Sequence, residues 1–161
     1  MAQTSGDAAR EAPRYRWLFH VDLDQFQVAV ERQRRGDLIG RIVIVGGDGD
    51  PTRARQVVTC ASYEARALGV RAGMPMRAAV KKAPDAVFLP LDMAEYERAS
   101  SRAMDVLRGF GGAIEVWGWD EAYLGVEDRA GTATLTSDDD VAVAESIRTA
   151  VERETGLQCC V

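Results

Sequence analysis

The sequence predicts an α+β fold, a ferredoxin-like (βαββαβ) layer of sheet and helices that carries a small inserted α/β unit. Three observations predict it. Trp17–Asp24 (WLFHVDLD) is an apolar run ending abruptly in acids, which marks a buried strand with carboxylates at its C-terminal end. Two later stretches, Asp92–Arg108 and the one marked by Val141, Ala144, Ile147 and Val151, space apolar residues as amphipathic helices do. Between them, Ile114–Trp117 and Ala122–Val126 read as strands flanking a tight turn. With residues 26–90 set aside, the order is strand, helix, strand, strand, helix, strand, which is the split βαβ pattern. The 26–90 stretch then enters as an insertion after the first strand.

The remaining elements follow from local signals. Phe26–Arg34 reads as a helix, with Val28, Ala29 and Val30 apolar and Glu31–Arg35 charged. Arg41–Val45 (RIVIV) is a short strand, and Gly46–Arg55 (GGDGDPTRAR) is a loop by its Gly, Asp and Pro content. Val57–Cys60 is a brief apolar run, followed by a helical stretch from Ser62 to Leu68 with Gly69 as its C-cap. Met76–Lys82 is another short helix, stopped by Pro84, and Ala86–Leu89 is a short strand. Asp92 is the expected N-cap of the long helix, which turns Tyr96, Ala99, Ala103 and Leu107 to one face. Gly109, Gly111 and Gly112 end it. Glu127–Asp140 is read as a polar loop, and Leu157–Val161 as the start of a strand.

The chain has 161 residues, 47% hydrophobic and 28% charged, enough apolar content for a folded core. No run approaches the roughly 18 apolar residues of a membrane span. Residues 1–15 are small and polar, without the basic start and apolar stretch of a signal peptide, so they read as a disordered leader and the cytoplasm as the compartment. The three cysteines, Cys60, Cys159 and Cys160, form no CxxC pair, and His20 is the one histidine, which is too few ligands for zinc; three buried reduced thiols are expected. The net charge of −5 is unevenly spread: −1 over the first 30 residues, +6 over residues 31–82 and −10 over residues 83–161. A basic middle beside an acidic remainder suits a phosphate-handling part next to a carboxylate site.

Asp22-Leu23-Asp24 ends the first strand, and Asp120-Glu121 sits at the turn between two later ones. In a ferredoxin-like sheet these segments are neighbours, so the acids converge on one edge. Converging carboxylates repel unless a cation neutralises them. Hard oxygen ligands select Mg²⁺. Two such ions can hold a triphosphate and activate a 3′-hydroxyl for in-line displacement. Trp117 and Trp119 beside the turn suggest a partly buried site.

These residues carry a resemblance. His20-Val-Asp-Leu-Asp-Gln-Phe, running on to Ala29-Val30-Glu31, resembles the first motif of Y-family DNA polymerases of the DNA polymerase IV type. Val57–Met76 (VVTCASYEARALGVRAGMPM) is similar to that family's fingers segment. Pro84–Pro90 and Tyr96 with Ser100-Ser101-Arg102 resemble the stretch before its second motif, and Trp119-Asp-Glu-Ala-Tyr-Leu resembles that motif itself. The resemblance runs from about residue 16 to the end. It implies a palm (16–25 and 85–161), fingers (26–84), and a translesion DNA polymerase acting in DNA repair. It also implies that Asp22, Asp120 and Glu121, with the Leu23 carbonyl, hold two Mg²⁺ ions, Mn²⁺ being the alternative. Tyr63 and Arg66 then bind the triphosphate of the incoming nucleotide; three residues apart on one helix, they face one way. Asp24, Gln25 and Cys60 join the nucleotide site, and Phe26 and Gln27 lie under the sugar. Small residues at Ala61, Ser62 and Gly73 keep the fingers short.

Departures from the family's pattern sharpen the expectations. Gln27 stands where an aromatic steric gate is usual, which predicts relaxed sugar discrimination and entry of rNTP as well as dNTP. Cys60 replaces a threonine that contacts the triphosphate. Trp117, Gly118 and Trp119 replace smaller or aliphatic residues. The chain stops at Val161, before the family's triphosphate-binding lysine, its thumb and its little finger, and ending inside a strand argues for a fragment that is inactive by itself. Expected partners of the longer protein are primer-template DNA and nucleotide, with a sliding clamp as a further candidate, and no membrane. Two other readings are a catalytically weak paralogue serving as a scaffold in a mutagenic repair complex, and a nucleotide cyclase. The three carboxylates weigh against the first, and the fingers-like YEAR segment (Tyr63–Arg66) against the second.

Overall fold

A computed structural model describes residues 15–127 and 140–161. The first strand, β1 (Tyr15–Leu23), alternates strictly toward its end: Val21 and Leu23 are buried, while His20 and Leu18 are exposed. That period of two gives the strand a core face and an open face, and Asp22 falls on the open one. β5 (Ala113–Trp117) and β6 (Glu121–Glu127) form the later hairpin, and β7 (Cys159–Cys160) the last strand. The sheet order is β5-β6-β1-β7, with every pairing antiparallel. Counting only these four strands along the chain, the order is 4-1-3-2, as the split βαβ reading requires.

Two long helices cover the core face. In α4 (Met93–Arg108), Tyr96, Ala99, Ala103 and Leu107 are buried as expected, joined by Ser100 and Met104. Asp92 caps it, its Oδ1 accepting the Glu95 N–H at 3.2 Å. In α5 (Asp140–Thr155) the buried stripe is Val143, Ile147 and Val151. Val141 and Ala144 were expected there, but Val141 is exposed and Ala144 only half-buried. The reason is angular: Val141 precedes Val143 by two residues, about 200° around the helix. The expected polar loop over 127–140 lies almost wholly outside the described residues, as do residues 1–14 of the expected leader. β1 already begins at Tyr15.

The chain between β1 and α4 builds a second, smaller sheet. β2 (Val43–Val45) lies between β3 (Cys60–Ala61), antiparallel, and β4 (Val87–Leu89), parallel. α2 (Tyr63–Ala67) and α3 (Met76–Lys82) pack with it around Ile44, Val58, Ala61, Ala65, Val70, Met76 and Ala79. α1 (Phe26–Arg34) instead buries Phe26, Val28 and Val30 in the larger core, with the Phe26 ring edge-on to Tyr96 at 6.2 Å. β2 contributes Val43 and Val45 to that larger core and Ile44 to the smaller one, so one strand's alternation joins the two.

Candidate functional site

Three chain segments meet where β1 ends. Asp22 pairs across the sheet with Glu121 on one side and with Cys160 on the other. The Leu23 N–H donates to the Asp120 carbonyl oxygen and the Asp24 N–H to that of Gln158, both at 2.9 Å. The β5–β6 turn is three residues, Gly118–Asp120, and opens with Gly118 at φ 71°, a backbone that favours glycine. This turn sets Asp120 and Glu121 beside the end of β1.

Gln25 then turns the chain from the sheet into α1. Its backbone is left-handed (φ 40°, ψ 45°), unusual for a residue with a side chain. Its Oε1 accepts the Tyr63 N–H at 3.0 Å, tying the start of α2 to the end of β1. Ser62 caps α2 by accepting the Ala65 N–H. Tyr63 and Arg66 do share a face: the guanidinium carbon lies 5.2 Å from the Tyr63 ring centroid, and Arg66 Nε donates to the Ala61 carbonyl oxygen at 2.9 Å.

These groups line one cavity of about 250 Å³, formed by Asp22, Leu23, Asp24, Gln25, Phe26, Gln27, Thr59, Cys60, Tyr63, Arg66, Ala72, Asp120 and Glu121. Every residue singled out from the sequence as a site residue is therefore on its wall. Burial raises the Asp22 carboxyl above its ordinary range, and Glu121 and Asp24 push it further, while His20 and Arg66 pull the other way. Asp120 is raised by burial and then by Asp22 and Glu121. Among the described residues no group of three His, Cys, Asp or Glu side chains is preformed to hold a metal ion. The three carboxylates share a wall, supply only hard oxygen donors and repel one another, which is the chemistry a bound divalent cation relieves.

Several expectations need correction. Cys60 and Cys159 are buried, but Cys160 is exposed, its Sγ 3.3 Å from Asp24 Oδ1. β7 is an edge strand and Cys160 falls on its open face. Trp117 is 57% exposed rather than sheltering the turn, because its strand face is the open one; Trp119 packs on the core, 6.0 Å from the Tyr96 ring. Ser62, one of the small residues of the fingers segment, is wholly buried as the α2 cap and as acceptor for the Val43 N–H. Thr59 and Ala72 were missed. Thr59 is a lone polar residue between buried Val58 and Cys60, a usable signal; Ala72 carries none.

The chain belongs to the impB/mucB/samB family, which matches residues 21–161. It is 55% identical over 146 residues to DNA polymerase IV 2 of Mycobacterium tuberculosis, covering 91% of this chain and 40% of the relative. DNA polymerase IV of Methanoculleus marisnigri is 42% identical over 146 residues, covering 91% of this chain and 39% of the relative. Among solved structures, the insertion ternary complex of Dbh DNA polymerase superposes with a TM-score of 0.76 at 31% identity, covering 88% of this chain and 40% of that one. DinB from Sulfolobus solfataricus gives 0.76 at 30%, with the same coverage. The resemblance to Y-family polymerases is thus borne out. The chain spans about 40% of the length of the curated relatives it matches.

Proposed function

We propose that this chain is the palm (16–25 and 85–161) and fingers (26–84) of a template-directed DNA polymerase acting in translesion synthesis. The observation that carries the reading is the shared wall: Asp22, Asp120 and Glu121 face the same 250 Å³ cavity as Tyr63 and Arg66. Acids gathered at the ends of the two central strands and the turn beside them, opposite a phenol and a guanidinium, suit a triphosphate held through cations on one side and donors on the other.

In this reading Asp22, Asp120, Glu121 and the Leu23 carbonyl hold two Mg²⁺ ions, or Mn²⁺. When bound, such ions neutralise phosphate charge and lower the pKa of a primer 3′-hydroxyl. The chain's own residues do the rest. Arg66 and the Tyr63 hydroxyl donate to phosphate oxygens. Gln25 keeps Tyr63 in place from the strand end. Asp24 and Cys60 border the nucleotide, Phe26 supports the cavity from the core, and Gln27 faces the sugar as a relaxed gate that admits rNTP. The substrates are dNTP and primer-template DNA, and a sliding clamp and the nucleoid are the surroundings in which such an enzyme works. Among the described residues no helix is long and apolar enough to cross a membrane.

The test is primer extension by the full-length protein that carries this segment. Asp120→Ala is expected to abolish extension while the circular dichroism spectrum stays native. Near-normal extension by that variant would sink the reading.

A further inference from the structure

Gln27 is 9% exposed and lines the cavity, yet it is not loose. The Thr59 hydroxyl donates to Gln27 Oε1 at 2.6 Å. Thr59 Oγ1 also lies 3.0 Å from the Val45 carbonyl oxygen. A hydroxyl carries one proton and serves one acceptor well. The Val45 carbonyl already accepts the Thr59 backbone N–H at 2.8 Å, so it has a partner without the hydroxyl. The Thr59 proton is therefore free for Gln27, and the short distance agrees with that. Thr59 in turn is held by the β2–β3 pairing beside it, where Val45 opposes Cys60.

Fixing the carbonyl oxygen of a carboxamide fixes its nitrogen. Among the described residues the Gln27 carboxamide is hydrogen-bonded at its oxygen, by Thr59, and not at its NH₂ group, and Gln27 lines the cavity. We infer that Thr59 is a positioning residue for sugar recognition. It holds the Gln27 carboxamide so that the NH₂ group donates to the 2′-hydroxyl oxygen of a bound ribonucleotide. This rests on the reading of Gln27 as the residue under the sugar. It goes beyond that reading by making ribose a recognised group rather than a tolerated one. A site built to hydrogen-bond a hydroxyl favours the ligand that carries it. An untethered glutamine would lose that preference to side-chain freedom.

The experiment measures kcat/KM for rNTP and dNTP insertion by the full-length protein, in wild type and in Thr59→Val, Thr59→Ser, Gln27→Ala and the Thr59→Val/Gln27→Ala double variant. The readout is the rNTP:dNTP ratio. Thr59→Val keeps the side chain's shape and removes the donor. It is expected to lower the ratio about tenfold, the scale of one hydrogen bond. Thr59→Ser, which keeps the hydroxyl, is expected to stay within about threefold of wild type on the same scale. The double variant is expected to match Gln27→Ala alone, since Thr59 acts through Gln27. Thr59→Ala replaces Thr59→Val should the latter not fold, with the same expected fall. An unchanged or increased ratio in the hydroxyl-free variant overturns the inference. So does a further fall when the Thr59 change is added to Gln27→Ala. If Gln27→Ala itself leaves the ratio unchanged, the reading of Gln27 fails and the Thr59 inference with it. If Gln27→Ala shifts the ratio and Thr59→Val does not, only the Thr59 inference fails.

Discussion

Asp22 on β1 and Glu121 on β6 are opposed residues of one antiparallel pair, so two carboxylates leave the open face of the sheet side by side. Like charges in that position destabilise a sheet. Burial and Glu121 together raise the Asp22 carboxyl, and a raised folded-state pKa has a definite consequence. Its contribution to stability is full below the ordinary carboxylate value of 3.8 and is lost as pH rises through the raised value. At neutral pH, without a cation, the pair is a cost. Asp22→Asn is therefore expected to stabilise the cation-free chain by about 0.2–1 kcal/mol. It is also expected to abolish primer extension by the full-length protein. Thermal melting with and without Mg²⁺ checks this: the ion should raise the wild-type midpoint and move the variant less.

Arg66 and Tyr63 separate charge from hydrogen bonding. Arg66→Ala is expected to raise the KM for dNTP by about 10- to 100-fold, the worth of a charge-assisted hydrogen bond. Arg66→Lys is expected to recover only part of it, because an ammonium lacks the planar fork. Burial and Asp24 raise the Tyr63 phenol, so it stays protonated, and a donor, across the neutral range. Tyr63→Phe should cost several-fold in KM, with no new pH dependence between pH 6 and 9. Steady-state kinetics over that range decides it.

Gln27→Phe restores an aromatic ring under the sugar. Discrimination against rNTP is expected to rise by about a hundredfold or more, as a steric clash replaces a hydrogen bond. Parallel measurements of dNTP and rNTP insertion check it. A wild type that rejects rNTP as strongly as the Phe variant does would show that Gln27 is not a relaxed gate.

Asp92 has two jobs at the start of α4. It caps the helix through the Glu95 N–H and pairs with Arg34 at 2.9 Å, joining α1 to α4. The Glu95 N–H and Arg34 both hold its carboxyl below the ordinary value. A depressed pKa contributes stability above the unfolded value of 3.8 and loses it as pH falls through the folded one. Asp92→Ala should lower the melting midpoint at pH 7. The gap to wild type should close as the pH drops below 3.8. Asp92→Asn, which keeps a capping oxygen, should fall between the two.

Cys160 should be the fast-reacting thiol. It is exposed, whereas Cys60 and Cys159 are buried, and burial pushes the Cys159 thiol up to about 11. The Asp24 carboxylate accepts the Cys160 S–H and raises its pKa, so little thiolate forms near neutral pH. Titration with a chromogenic disulfide should therefore show one accessible thiol in the native chain. Asp24→Asn should speed its reaction at pH 7.5.

The α-helices, the acids and every strand but β3, read only as a brief apolar run over Val57–Cys60, were legible in the sequence, because each is written in a local signal. The apolar run Trp17–Asp24 ending in acids, the helical spacing of Tyr96, Ala99, Ala103 and Leu107, and the cap at Asp92 need no distant partner to be read. The same holds for the small turn at Gly118 and for Tyr63 and Arg66 sharing a face. Tertiary structure decided which of these residues meet. Only the 4-1-3-2 strand order places β6 and β7 on either side of β1, so that Glu121 and Cys160 both flank Asp22. Only the register of the long-range β1–β7 pairing turns Cys160 outward, and only the packing of the β5–β6 hairpin beside β1 leaves the face carrying Trp117 open, both against expectation. Thr59 and Gln27 are 32 residues apart and on different elements, and their hydrogen bond exists because α1 packs beside the β2–β3 pair. Local propensity is a property of neighbours along the chain. Cross-strand register and side-chain pairing are set by the burial of one common core, and no window of sequence contains that core.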